Sequence, residues 1–207
     1  MPRPAGVRNR DFADKRAALV STLTDFALNS DLRRPSLRQF AIAAEASEPT
    51  LRHYFSDRQG CVIAILECIG QRGQALWKTI SAPAPDVATA FDQYFRVSEA
   101  GMRHGGFIRA HGFGIIEGVA DPVVGKAYLR FVLEPALTAV EEKIASSNFG
   151  ITDQKRLRAI ALATLSPMLV MSLHQDLLAG DVEWEIDSAV ALQSIQSILS
   201  VGVVGLS

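Results

Sequence analysis

Between Pro35 and Arg58 the chain gathers hydroxyl, guanidinium, imidazole and phenol groups at helical spacing. Ser47, Thr50, Arg52, His53 and Tyr54 crowd one short stretch, with Arg38 before it and Arg58 after it. Such side chains read nucleic acid. Base edges are recognised by donors, acceptors and apolar groups, and phosphates by Arg, hydroxyls and helix N-termini. Enzymatic constellations are missing. The chain has no Gly-x-Ser-x-Gly, no phosphate-cradling Gly-rich loop, no His-Glu-x-x-His and no zinc spacing. His111-Gly112-Phe113-Gly114 is glycine-rich like an oxyanion loop but has no nucleophile elbow to serve. Neither an enzyme nor a cofactor is expected. Cys61 and Cys68 lie on one face of one predicted helix, and two cysteines without a matching pair make no metal site. Buried free thiols are expected there.

Two short helices and a tight turn would hold the polar groups. Ser36 is an N-cap with Gln39 three residues on, a capping box, and Leu37, Phe40 and Ala41 repeat at inward spacing. Glu45-Ala46 is the expected turn. Ser47 caps the second helix, and Pro49 stands in its first turn, where a missing N–H costs little. Leu51 and Phe55 anchor that helix from inside. Ser47, Thr50, Arg52, His53, Tyr54 and Arg58 are therefore the candidate DNA contacts.

At Ala44-Glu45-Ala46-Ser47-Glu48-Pro49-Thr50-Leu51-Arg52-His53-Tyr54-Phe55 the chain resembles the TetR family of bacterial transcriptional regulators. The family pattern is Ala-Gly-Val-Ser, two variable residues, Thr-Leu-Tyr, a variable residue, then an aromatic or His followed by Phe. Ser56-Asp57-Arg58 is similar to its lead into a fourth helix. The close likeness covers roughly the first third of the chain; beyond that only length and helical character agree. Glu45 stands where the family has Gly, so a positive φ there would strain it. Arg52 stands where Tyr is usual. The resemblance implies a three-helix DNA-binding head, with Arg38 at a further DNA-contacting position, and a larger helical body that binds a small molecule and pairs through its last two helices. It also implies a repressor released from a palindromic operator. The alternative is a DNA-bound protein of the same build that recruits a protein partner and senses no ligand.

The 207 residues allow a small and a larger domain, placed at 1–56 and 57–207. Net charge is −1, but residues 1–60 carry +3 and the remainder −4. A modestly basic end on an acidic body is compatible with DNA binding through that end. No apolar run is long and charge-free enough to span a bilayer, and no secretory signal precedes the first helix, so a cytoplasmic protein is expected.

The helical periods predict an all-α fold of about nine helices. Residues 1–10 read as a flexible basic arm with Arg3, Arg8 and Arg10, and Asp11–Asn29 as the first helix. Asp57–Ile80 and Val87–Met102 follow. Gly112, Gly114 and Gly118 weaken the apolar stretch Phe107–Val119 as a helix. Pro135 predicts a kink or break in the next helix, Pro167 interrupts the one after, ending at Gly180-Asp181, and Asp187–Val201 forms the last. Trp77, Tyr94, Phe107, His111, Phe113, Glu117, Met171, His174 and Gln175 are the candidate ligand-lining residues, with ordinary core as their other reading. His111 and Glu117 say most, because ionisable groups in an apolar segment need partners.

Overall fold

The computed structural model describes residues 5–30, 34–103, 106–147, 150–178 and 183–204, and every regular element among them is helical. The helices are α1 (Ala5–Asn29), α2 (Leu37–Ala43), α3 (Glu48–Phe55), α4 (Arg58–Ile80) and α5 (Val87–Arg103). Then come α6 (Gly106–Ala120), α7 (Pro122–Tyr128), α8 (Glu134–Ala145), α9 (Gln154–Ser172) and α10 (Ser188–Val204). π-helical turns occupy Leu129–Leu133 and Leu173–Leu177. The first joins α7 to α8 without a break. Counted as one rod, Pro122–Ala145 leaves nine helices among the described residues, the all-α architecture expected.

The described chain forms two compact units. One contains the residues up to Arg72 together with Phe113–Phe131; the other contains Gly73–Gly112 and everything from Val132 on. Segments distant in sequence therefore share a unit, and the divisions fall inside α4, inside α6 and inside the first π turn.

In the first unit Val20, Leu23, Leu37, Phe40, Leu51, Phe55, Val62, Ile65 and Leu66 are buried, as are Phe113, Val124 and Tyr128. α1 packs on α2 and α2 on α3, with Phe26 edge-on to Phe40 at 6.0 Å. Buried Thr24 returns its hydroxyl to the Val20 carbonyl, so no polar group is stranded. Cys61 is buried and Cys68 half-buried, both as free thiols; burial pushes the Cys61 thiol up to about 12.

The second unit is built on one apolar cluster in which Phe91, Tyr94 and Phe95 of α5 meet Ala136, Leu137 and Val140 of α8 and Leu157, Ala161, Leu165 and Met168 of α9. Arg158 ties α9 to α8 by ion pairs with Glu134 and, at 2.7 Å, with Glu141. Buried Lys143 donates to the Ala82 carbonyl at 2.7 Å and to Gln93. Contrary to the sequence expectation that no run could span a bilayer, Gln154–Gln175 is long and apolar enough to cross a membrane by length and composition alone. Its inward residues belong to this core, a role for which the same composition serves.

Four sequence expectations meet a different local outcome. α1 begins at Ala5, immediately after Pro4, so residues 5–10 are helical where an arm was expected. The glycine-rich segment forms the whole of α6, because absent side chains make room. A Cβ on Gly114 would lie 2.2 Å from the Tyr128 ring, and one on Gly118 2.9 Å from Gly125 Cα. Pro135 does not break its helix. A proline clashes with the carbonyl four residues back, here Phe131, and the wider π turn at Leu129–Leu133 absorbs the misfit. α9 likewise continues through Pro167. Arg3, His104 and the stop at Gly180-Asp181 lie outside the described residues, as do the side chains of Arg8 and Phe107.

Candidate nucleic-acid interface

α2 and α3 form a helix–turn–helix whose ends are locally closed. Ser36 Oγ accepts from the Gln39 N–H, while the Gln39 side chain accepts from the Ser36 N–H at 2.8 Å, completing the capping box. α2 ends in a left-handed cap. The Glu45 N–H donates to the Ile42 carbonyl at 3.1 Å and the Ala46 N–H to the Ala41 carbonyl at 2.9 Å. This pair of bonds is the Schellman arrangement, which needs a positive φ at its central residue. Glu45 supplies it at φ 49°, a conformation glycine adopts more readily.

α3 starts under Ser47, whose Oγ accepts from the Thr50 N–H at 3.2 Å and lies 2.8 Å from the Thr50 hydroxyl. Leu51 and Phe55 are buried; Ser47, Arg52 and His53 are exposed, and Thr50 and Tyr54 are half-buried. Arg52 reaches back to Glu48 at 3.6 Å, both groups well solvated. Such an exposed pair contributes little and can open toward another anion. Arg38 is exposed on α2. The helix thus turns two apolar anchors inward and carries Ser47, Thr50, Arg52, His53 and Tyr54 on its remaining surface.

Gly60 lets α4 follow closely: its N–H donates to the capping Asp57 carboxylate at 2.7 Å, and a Cβ there would stand 1.9 Å from the Phe55 carbonyl oxygen.

Arg58 sits apart from the outer group. Its Nε donates to the Pro35 carbonyl at 2.7 Å. Its two terminal nitrogens donate to the two oxygens of Glu117 on α6, at 3.0 and 2.5 Å. Arg34 Nε stands 3.5 Å from the same carboxylate. The Glu117 side chain is 0% exposed and that of Arg58 28%. Beside them the Gln59 amide donates to Asp121 at 2.7 Å and, with the backbone N–H groups of Val123 and Val124, holds that carboxyl below its usual range. A buried carboxylate is tolerable only when paired and hydrogen-bonded, and here one bidentate and one single cation contact meet that need. The sequence signal was Glu117 alone, an acid in an apolar helix. Arg34, Gln59 and Asp121 were missed because nothing in their local pattern points to partners so far along the chain.

Of the ligand-lining candidates, Trp77, Tyr94, His111, Met171, His174 and Gln175 belong to the second unit, and Phe113 and Glu117 to the first. Tyr94 and Met171 are core residues, with Trp77 packed against the same cluster. Burial pushes the Tyr94 phenol up to about 12 and holds the fully buried His111 imidazole down to about 4. Gln175 is occupied by its own chain: it donates to the Ile186 carbonyl and accepts from the Ser188 hydroxyl at 3.0 Å, fastening the start of α10. Trp77 Nε1 and His174 Nδ1 are buried atoms without a hydrogen-bond partner among the described residues. No three His, Cys, Asp or Glu side chains among the described residues come together as a metal site.

Compared with protein-family models the chain matches none, and no curated protein matches it.

Proposed function

We propose that this chain is a TetR-like transcriptional regulator that binds DNA through α2 and α3, acts as a cytoplasmic homodimer, and represses until a small molecule releases it. The carrying observation is α3. It is a short helix capped at its start, pinned by Leu51 and Phe55, with Ser47, Thr50, Arg52, His53 and Tyr54 left for a partner and Arg38 exposed on the preceding helix. That is the chemistry of base and phosphate contact. Arg58 supports the head from within through Glu117.

Pairing is supported by apolar side chains left on the outer sides of the last two helices: Leu162 and Val170 on α9, Val190, Ile198 and Val201 on α10. Contiguous exposed apolar surface marks an interface, and a two-fold dimer would present two heads to successive major grooves. Ligand sensing is supported by Trp77 Nε1 and His174 Nδ1, because buried polar atoms are nearly always satisfied.

The test is fluorescence anisotropy of the purified protein on duplex DNA from its own upstream region, against random competitor and across a salt series. Competitor-resistant binding that weakens steeply with salt is expected. Thr50→Ala and Tyr54→Ala should each lose about tenfold in specific affinity, the lower range for one base contact. If neither variant changes affinity for a duplex that wild type selects, these residues are not the readers.

A further inference from the structure

The outer side chains of α3 are themselves held by a residue of α1. The Phe12 ring lies 4.7 Å from that of Tyr54, tilted at 34°, and 5.5 Å from that of His53, edge-on at 83°. His53 and Tyr54 are 5.1 Å apart at 74°, so the three rings form one cluster. One turn along α1, the Arg16 guanidinium stands 5.4 Å from the centroid of the Phe55 ring. Phe12 has no part in the buried core, which among the described side chains takes its first α1 residue at Val20. It is 39% exposed among exposed Asp11, Ala13, Asp14 and Lys15. An aromatic ring in so polar a turn is accounted for by what it touches, and two of its contacts are candidate base readers.

We propose that Phe12 is a positioning residue for DNA reading: it fixes the rings of Tyr54 and His53 before DNA arrives, while Arg16 grips the same end of α3 through Phe55. This rests on the DNA-binding reading above. On a solvated helix face a phenol and an imidazole would exchange rotamers, and DNA would have to order them. Offset and edge-on ring pairs restrict that freedom in the free protein, which lowers the ordering cost of specific binding. Binding to random DNA, carried by phosphate contacts, gains nothing from it. Phe12 therefore acts on discrimination more than on affinity at large.

The experiment compares wild type, Phe12→Ala and Phe12→Tyr on a duplex enriched by wild type from a randomised pool and on random duplex, at one salt concentration. Aromatic NMR resonances of His53 and Tyr54 are recorded on the same samples without DNA. Phe12→Ala should keep the far-UV circular dichroism of wild type and shift the His53 and Tyr54 ring resonances. It should lower the ratio of specific to random affinity by about threefold to tenfold, the range one aromatic contact supports. Phe12→Tyr should restore both. Ring resonances that stay in place, or a discrimination ratio that stays within twofold of a discriminating wild type, would overturn the inference alone. A wild type that enriches no sequence overturns the DNA-binding reading and this inference with it.

Discussion

The Arg58–Glu117 pair offers the sharpest test of how the first unit is held together, because its two halves are not equally buried. Replacing Arg58 by Ala strands the Glu117 carboxylate, which is 0% exposed, with Arg34 at 3.5 Å as its remaining cation. Breaking a buried pair from this side costs about 3–5 kcal/mol. Replacing Glu117 by Ala leaves a guanidinium that is 28% exposed and still bonded to the Pro35 carbonyl. Solvent compensates part of that charge, so a smaller loss of about 1–3 kcal/mol is expected. The double replacement Arg58→Met with Glu117→Leu removes both desolvation costs and should lie within about 1 kcal/mol of wild type. Urea unfolding followed by far-UV circular dichroism measures all three, and the double replacement should lose far less than the sum of the two single losses. Where the two units unfold separately, the shift belongs to the transition of the first. Equal losses for the two single variants, or both below about 1 kcal/mol, would refute the argument from unequal burial.

Glu45→Gly should stabilise the chain by up to about 1 kcal/mol in the same assay. Relief of a left-handed non-glycine residue, about 1–2 kcal/mol, exceeds the entropy glycine adds to the unfolded state, about 0.5–1 kcal/mol. His111 ties stability to pH. Its folded pKa of about 4 lies below the ordinary 6.5, so the unfolded chain takes up the proton first. Its contribution is complete above pH 6.5 and declines as pH falls toward 4, by about 3 kcal/mol in all. Urea midpoints across that range should show the slope, and His111→Leu should flatten it. Ile198→Glu, at a position 70% exposed on α10, should leave the monomer folded and halve the mass seen by sedimentation; an unchanged mass would move the interface elsewhere.

What was legible in the chain was local. Ser36 with Gln39 and Ser47 with Pro49 announce two helix starts by their own chemistry, and the Leu51–Phe55 spacing fixes which side of α3 is inward. The strain at Glu45 could be anticipated from the turn it must make. The rest depended on neighbours that sequence spacing does not reveal. α6 is poor in helix propensity at Gly114 and Gly118, yet those glycines are where Tyr128 and Gly125 approach, so packing overrides propensity. Arg58 has the composition of a phosphate contact and the position of one, and its engagement with Glu117 emerges only when residues 59 apart in sequence are brought together. Phe12 fell in a stretch that reads as polar, and its partners lie two helices away.

The make-up of the first unit also bears on exchange between proteins. A module cut at the end of α4 would leave behind Phe113–Phe131, and with it Glu117, Asp121 and the surface on which Gly114 and Gly118 seat α7. Arg58 and Gln59 would then face solvent or mismatched side chains. Transplanting the helix–turn–helix of this chain with its support onto another scaffold therefore calls for a two-segment graft, residues up to 72 together with 113–131. Recombination within a gene, which moves contiguous stretches, would seldom carry both. The helix–turn–helix of this chain and the segment that braces it would have to move together.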